Sequence, residues 1–147
     1  MKTAVPPFAN PERPRLRVLI VDDNPQVLHD LRQLLELTGE MEIVAEAGNG
    51  LEAVHLVGEL CPEAVVIDLE MPGLDGYAAT RLIKTQQPAP RVIILSVHTG
   101  SDEQEQAWAA GADAFVMKGE QYEILVNAIL GKNASHVSFD SEKGDST

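Results

Sequence analysis

Apolar residues along this chain fall into five short runs, and four of them lead directly into a polar residue capable of chemistry. Leu16-Arg17-Val18-Leu19-Ile20-Val21 leads into Asp22-Asp23, and Ala64-Val65-Val66-Ile67 into Asp68. Arg91-Val92-Ile93-Ile94-Leu95 leads into Ser96, and Ala114-Phe115-Val116-Met117 into Lys118. The remaining run, Glu42-Ile43-Val44-Ala45-Glu46-Ala47, is the most polar, as suits a strand nearer a sheet edge. Short β-rich runs that alternate with helical patterns point to a parallel sheet buried on both faces.

Helix signals separate the runs. Asn24-Pro25 joins a favoured N-cap to a residue suited to the first helical position. Leu28, Leu31, Leu34 with Leu35, and Thr38 then recur at helical spacing until Gly39. Asn49-Gly50 opens a second helix whose apolar positions are Ala53, Val54, Leu56, Val57 and Leu60, and Cys61-Pro62 ends it. Met71-Pro72-Gly73-Leu74-Asp75-Gly76 is dense in turn residues. It precedes a third helix that offers Tyr77, Ala78, Leu82 and Ile83 to the sheet. A fourth helix is expected over 101–110, capped by Ser101 and with Asp102 and Glu103 in its first turn. A fifth is expected over 120–130, facing inward through Ile124, Leu125, Ala128 and Ile129. The outcome is an α/β domain with a five-stranded parallel sheet, helices on both faces and right-handed crossovers.

Composition narrows the classes. The chain has 147 residues, enough for one domain with a substantial core. Only 4% are aromatic, so that core is expected to be aliphatic. Residues 1–14 carry four prolines and read as a flexible arm, 15–131 as the domain, and 132–147 as a polar acidic tail. The formal net charge of −12 opposes direct nucleic-acid binding and docking on an anionic membrane. No apolar run approaches the roughly 20 residues needed to span a bilayer. Lys2 is not followed by a signal-like apolar stretch, and the single cysteine, Cys61, suits a reducing compartment, so a cytoplasmic location is expected. Cys61 itself reads as a small buried residue near a helix end.

Ligands of open α/β sheets bind beyond the carboxyl ends of the strands. If the runs are parallel strands, that edge gathers three carboxylates, a hydroxyl and an ammonium. Adjacent carboxylates repel one another unless a cation joins them, and Mg²⁺ favours oxygen ligands together with phosphate. Alone, Asp22-Asp23 would read as a solvated turn and cap. Asp68 follows four residues expected to be buried, where a carboxylate is costly unless paired or metal-bound. An Asp nucleophile forms an acyl phosphate and needs positive charge and donors around the incoming oxygens. Lys118 and Ser96 offer those. Separately they would read as a surface lysine and a strand-end cap.

Together, Asp22-Asp23, Asp68 with Met71-Pro72-Gly73-Leu74-Asp75-Gly76, Ser96, and Gly111-Ala112 leading to Phe115 and Lys118 resemble the receiver domain of two-component response regulators, over about residues 16–130. The wording around Val97-His98 and Phe115-Val116-Met117-Lys118 is most similar to receivers whose regulators also carry a helix-turn-helix DNA-binding domain. The resemblance implies a doubly wound (βα)5, flavodoxin-like fold with strand order 2-1-3-4-5. It implies a phosphoacceptor switch in a phosphorelay, and not an enzyme with a separate substrate. Asp68 would accept a phosphoryl group from a phosphohistidine of a sensor histidine kinase or a phosphotransfer protein. Mg²⁺ would be held by Asp23, Asp68 and the backbone carbonyl of Glu70, with Asp22 acting through water. Ser96 would move toward the phosphoryl group, Lys118 would respond to it, and the Phe115 ring would turn inward. The switched surface would be the helix 4/strand 5/helix 5 face, where a partner or a second copy binds.

Some positions depart from the family pattern. Gly119 stands where many receivers carry a cis-linked proline, and Phe115 where tyrosine is common. Seventeen residues follow Leu130, too few for a DNA-binding domain, which leaves a truncated regulator or a stand-alone receiver. An aspartyl-phosphate phosphatase ranks lower, because Glu70 occupies the place of a second Asp that would serve as general acid. A phosphorylation-independent interaction module sits poorly with the intact polar set. A nucleotide or flavin site lacks its glycine motifs. His98 reads as a loop residue shaping access to Asp68, and Trp108 either packs on the sheet or, the reading slightly preferred, lies on the outer face of the fourth helix.

Overall fold

The computed structural model describes residues 14–71 and 73–132. The expected arm and tail lie outside them, apart from Pro14 and Lys132. Strands β1 (Leu16–Val21), β2 (Met41–Ala47), β3 (Ala64–Asp68), β4 (Arg91–Ser96) and β5 (Ala114–Met117) alternate with helices α1 (Pro25–Glu36), α2 (Gly50–Leu60), α3 (Gly76–Lys84), α4 (Ser101–Ala110) and α5 (Tyr122–Leu130). The sheet is parallel throughout, in the order β2-β1-β3-β4-β5. The most polar strand is therefore an edge strand. All five residues of β3 are buried, as a central parallel strand covered on both faces requires.

Alternation along the strands divides the core in two. Leu19, Val21, Val65, Ile67, Val92, Ile94 and Phe115 face α2, α3 and α4, meeting Ala53, Val57, Ala79, Ile83 and Ala107. Val18, Ile20, Val66, Ile93, Leu95 and Val116 face α1 and α5, meeting Leu28, Leu35, Leu125, Ala128 and Ile129. Truncating a buried residue such as Ile93 would cost about 2–5 kcal/mol.

Several local expectations need correction. Leu34 (39% exposed) and Leu82 (44%) point outward, because each helix turns Leu35 or Ile83 toward the sheet instead. The N-cap of α4 is Gly100, with no side-chain cap bond, so Ser101 is the first helical residue. Helix α5 begins at Tyr122, later than expected, since Gly119 adopts a φ of +92°, the chain still bends at Glu120, and Gln121 is the N-cap. Cys61 is exposed. It ends α2 in the left-handed conformation at φ 47°, which turns it out of the helix just before Pro62.

Strand register delivers the site. Val21 pairs with Ile67, so the next residues, Asp22 and Asp68, emerge at the same edge. Asp68 lies opposite Leu95, one residue before Ser96. Ser96 pairs with Met117, and the Lys118 N–H then donates to the Ser96 carbonyl at 2.9 Å.

Candidate functional site: an acidic pocket at the carboxyl edge of the sheet

Asp22, Asp23 and Asp68 each place a carboxylate oxygen within 4.8 Å of the others. Asp22 and Asp68 are buried, 2% and 3% exposed, while Asp23 opens to solvent. Local sequence fixes the pair's entry into α1. Asp22 Oδ1 accepts the Asn24 N–H at 2.9 Å, and the Asn24 side chain accepts the Gln26 N–H at 2.9 Å as the N-cap. The other Asp22 oxygen, Oδ2, is buried without a hydrogen bond. It lies 3.5 Å from Lys118 Nζ, a charge contact too long to be a good hydrogen bond.

Lys118 Nζ instead donates to Asp68 Oδ1 at 3.0 Å. The Glu70 N–H reaches the same oxygen at a weak 3.4 Å. Burial pushes the Asp68 carboxyl above its ordinary value, and neighbouring Asp22 adds to that rise, although Lys118 opposes it. Burial alone would depress Lys118, but its contacts with Asp68 and Asp22 outweigh this and raise it. An isolated ion pair would lower its carboxyl. Here burial outweighs the pairing. A hard divalent cation suits what remains: clustered carboxylate oxygens, one of them buried and unpaired.

Ser96 is fully buried. Its hydroxyl donates to the His98 carbonyl and accepts the His98 N–H, both at 2.9 Å, and stands 3.5 Å from Glu70 Oε2. Glu70 Oε2 in turn meets His98 Nδ1 at 2.9 Å. The hydrogen bond and charge of Glu70 raise the His98 imidazole above its usual value. Beyond Asp68 the chain packs so tightly that a Cβ on Gly76 would meet the Asp68 carbonyl oxygen at 2.6 Å. After Lys118, the positive φ of Gly119 accounts for glycine there.

A family model described as the response regulator receiver domain matches residues 18–130. The chain belongs to the response regulator receiver family. It is 36% identical over 119 residues to the nitrate/nitrite response regulator protein NarP of Escherichia coli K12, covering 81% of this chain and 55% of NarP. A solved two-component response regulator of the LuxR family from Aurantimonas sp. SI85-9A1 superposes with a TM-score of 0.78 at 34% identity, covering 87% of this chain and 92% of the other. The signal receiver domain of the putative response regulator NarL from Mycobacterium tuberculosis gives 0.77 at 28% identity, covering 83% and 98%. The chain spans about half the length of the curated relatives it matches.

Within this receiver, Asp22, Asp23, Asp68 and Lys118 come together in one pocket. Ser96 lies at the neighbouring strand end, but its hydroxyl is engaged by Glu70 and His98. Phe115 sits deeper, 0% exposed, so its ring already occupies the interior from which an inward turn would have to end. A phenyl ring has no hydroxyl to draw it toward water. Trp108 is 41% exposed, and its ring lies 6.4 Å from Phe115 at 58°. It therefore links the outer surface of α4 to that buried ring. The Glu70 side chain joins the site beyond the role that the resemblance implies for its backbone carbonyl. The signal available in the sequence was positional: Glu70 and His98 each stand two residues beyond a site residue.

Proposed function

We propose that this receiver is a phosphoacceptor switch that takes its phosphoryl group on Asp68. The observation that carries the reading is a buried carboxylate held 3.0 Å from a lysine ammonium and clustered with two further carboxylates. In the transfer, an Asp68 oxygen forms the new O–P bond while the N–P bond of a donor phosphohistidine breaks. The imidazole nitrogen keeps the electron pair. The donor is a sensor histidine kinase or a phosphotransfer protein.

Asp22, Asp23 and Asp68, with the backbone carbonyl of Glu70, would hold Mg²⁺. A divalent cation there supplies positive charge for the carboxylates and for the incoming phosphoryl oxygens. Lys118 holds Asp68 before transfer and is placed to bind a phosphoryl oxygen after it. Ser96 supplies a hydroxyl once it turns from His98. Phosphorylation adds close to two negative charges and strong acceptors. Re-aiming of Ser96 and Lys118 then acts on β4 and β5, and through Phe115 and Trp108 on α4, biasing the α4–β5–α5 face toward a protein partner or a second copy. The net charge of −12 favours a protein partner over direct contact with nucleic acid or an anionic membrane. Among the described residues no helix is long and apolar enough to cross a membrane, and the reading is of a cytoplasmic signalling domain.

Acetyl phosphate with Mg²⁺ should add one phosphoryl group to the intact chain by mass, and Asp68→Asn should remove it. Stoichiometric labelling of that variant at a single site would exclude Asp68. Titration of amide shifts with Mg²⁺ should be lost in Asp23→Ala. Beryllofluoride should shift amides across 101–130. Changes confined to residues touching Asp68 would indicate a phosphate sink and not a switch.

A further inference from the structure

Glu70 and His98 occupy equivalent places in the loops that follow two adjacent strands. Glu70 follows Asp68 by two residues beyond β3, and His98 follows Ser96 by two residues beyond β4. Their side chains meet at 2.9 Å, tying together the two loops that leave the acceptor carboxylate and the hydroxyl. The same Glu70 oxygen stands 3.5 Å from Ser96 Oγ, and the His98 backbone satisfies that hydroxyl as both donor and acceptor. Every named contact of the Ser96 hydroxyl thus runs to one of these two residues.

We infer that the Glu70–His98 contact is a strap that holds Ser96 away from Asp68 and must part before a phosphoryl group can be seated. The inference rests on the proposed phosphorylation of Asp68. Glu70 and His98 act here as positioning residues. They take no part in bond making, and act by fixing the aim of Ser96 and the spacing of the two loops. Two observations favour a separable strap over a permanent brace. Both side chains are largely exposed, 45% for Glu70 and 63% for His98, so water can replace their contact at little cost. The Ser96 hydroxyl beneath them is fully buried, so re-aiming it requires its own loop to move.

The test is a double-mutant cycle on the purified chain, using acetyl phosphate and Mg²⁺. In this reaction an Asp68 oxygen forms the O–P bond as acetate leaves with the electrons of the broken one. Glu70→Gln and His98→Ala should each speed the initial rate by about two- to fivefold, the range expected for releasing an exposed polar side-chain pair. The double variant should be no faster than the faster single one, because the strap can be cut only once. The exchange of Glu70→His with His98→Glu, which rebuilds the pair in reverse, should return the rate toward wild type. Before any donor is added, Glu70→Gln should already shift the His98 ring and backbone amide resonances, a readout independent of phosphorylation. Labelling of the wild-type chain with effects that multiply, or with no rescue by the exchange, overturns the strap and leaves Asp68 as acceptor. A wild-type chain that takes no phosphoryl group at all overturns the proposed function, and the strap with it. Unmoved His98 resonances in Glu70→Gln remove the contact itself.

Discussion

The two ends of the sheet treat charge in opposite ways. At the carboxyl edge, three carboxylates cluster, one ammonium contacts only two of them, and Asp22 Oδ2 is buried without a hydrogen bond. At the amino edge, charges serve to close the chain. Arg17 Nη1 donates to the carbonyls of Leu60 and Cys61 at 2.8 and 2.9 Å, while the Arg17 N–H is taken by Glu63 at 2.8 Å. Asp113 Oδ2 accepts both Lys84 Nζ and the Val92 N–H at 2.8 Å. Arg91 Nε caps the Ala128 carbonyl at 2.8 Å, and only its Nη2 is left without a partner among these groups. One edge sets three cations against two carboxylates and serves the fold. The other is left short of positive charge, which is the condition for binding a cation and an anionic group.

The largest effect that could break this contrast lies at Lys118. Lys118→Ala removes the ammonium that contacts both Asp68 and Asp22. Phosphoryl uptake from acetyl phosphate should slow by about 10²-fold, the scale for losing one preorganised donor at a developing anion. An initial rate close to wild type would mean that the carboxyl edge does not depend on its lysine. The corresponding cut at the other edge is Asp113→Ala. It strips the buried Val92 N–H and the Lys84 ammonium of a shared acceptor, at a cost of about 1–3 kcal/mol in urea unfolding. Uptake under saturating donor should be unchanged, and a matching loss of rate would show that the two edges are coupled.

A smaller effect sharpens the comparison through pH. The Asp68 carboxyl is raised in the folded state, so folding favours its protonated form. Stability from this group is complete below the ordinary value of 3.8 and is lost as pH rises through the folded-state value. Asp68→Asn, which has no charge to bury, should therefore melt above wild type at neutral pH without divalent cations. The advantage should shrink on acidification and vanish below 3.8. Added Mg²⁺ should reduce it at neutral pH by stabilising the wild-type carboxylate. A variant that melts below wild type under these conditions would mean that Lys118 alone satisfies Asp68.

Most of the site was legible because strand ends are easy to recognise. Unbroken apolar runs such as Ala64-Val65-Val66-Ile67 mark fully buried parallel strands, and the residue after each must emerge at one edge. Asp22, Asp68, Ser96 and Lys118 follow from that rule alone. The helix phases were less legible: Leu34 and Leu35 are adjacent and equally apolar, and only packing against β1 and β2 selects Leu35. Cys61 was misread because burial statistics for cysteine say nothing of a left-handed C-cap. The state of Ser96 was hidden for a different reason, since a hydroxyl's partner depends on loop backbone that carries no periodic signal.

By itself the sequence determined the order of elements, the parallel class of the sheet, the aliphatic core and the identity of the acidic pocket. Each of these depends on a local period or on the residue type at a strand end, and both are written along the chain. Tertiary structure alone decided that Lys118 bonds Asp68 and not Asp22, that Phe115 lies inside beneath Trp108, and that Glu70 and His98 close over the Ser96 hydroxyl. Those outcomes depend on ångström differences between groups brought together from distant parts of the chain, where burial, charge and competing donors are weighed at once.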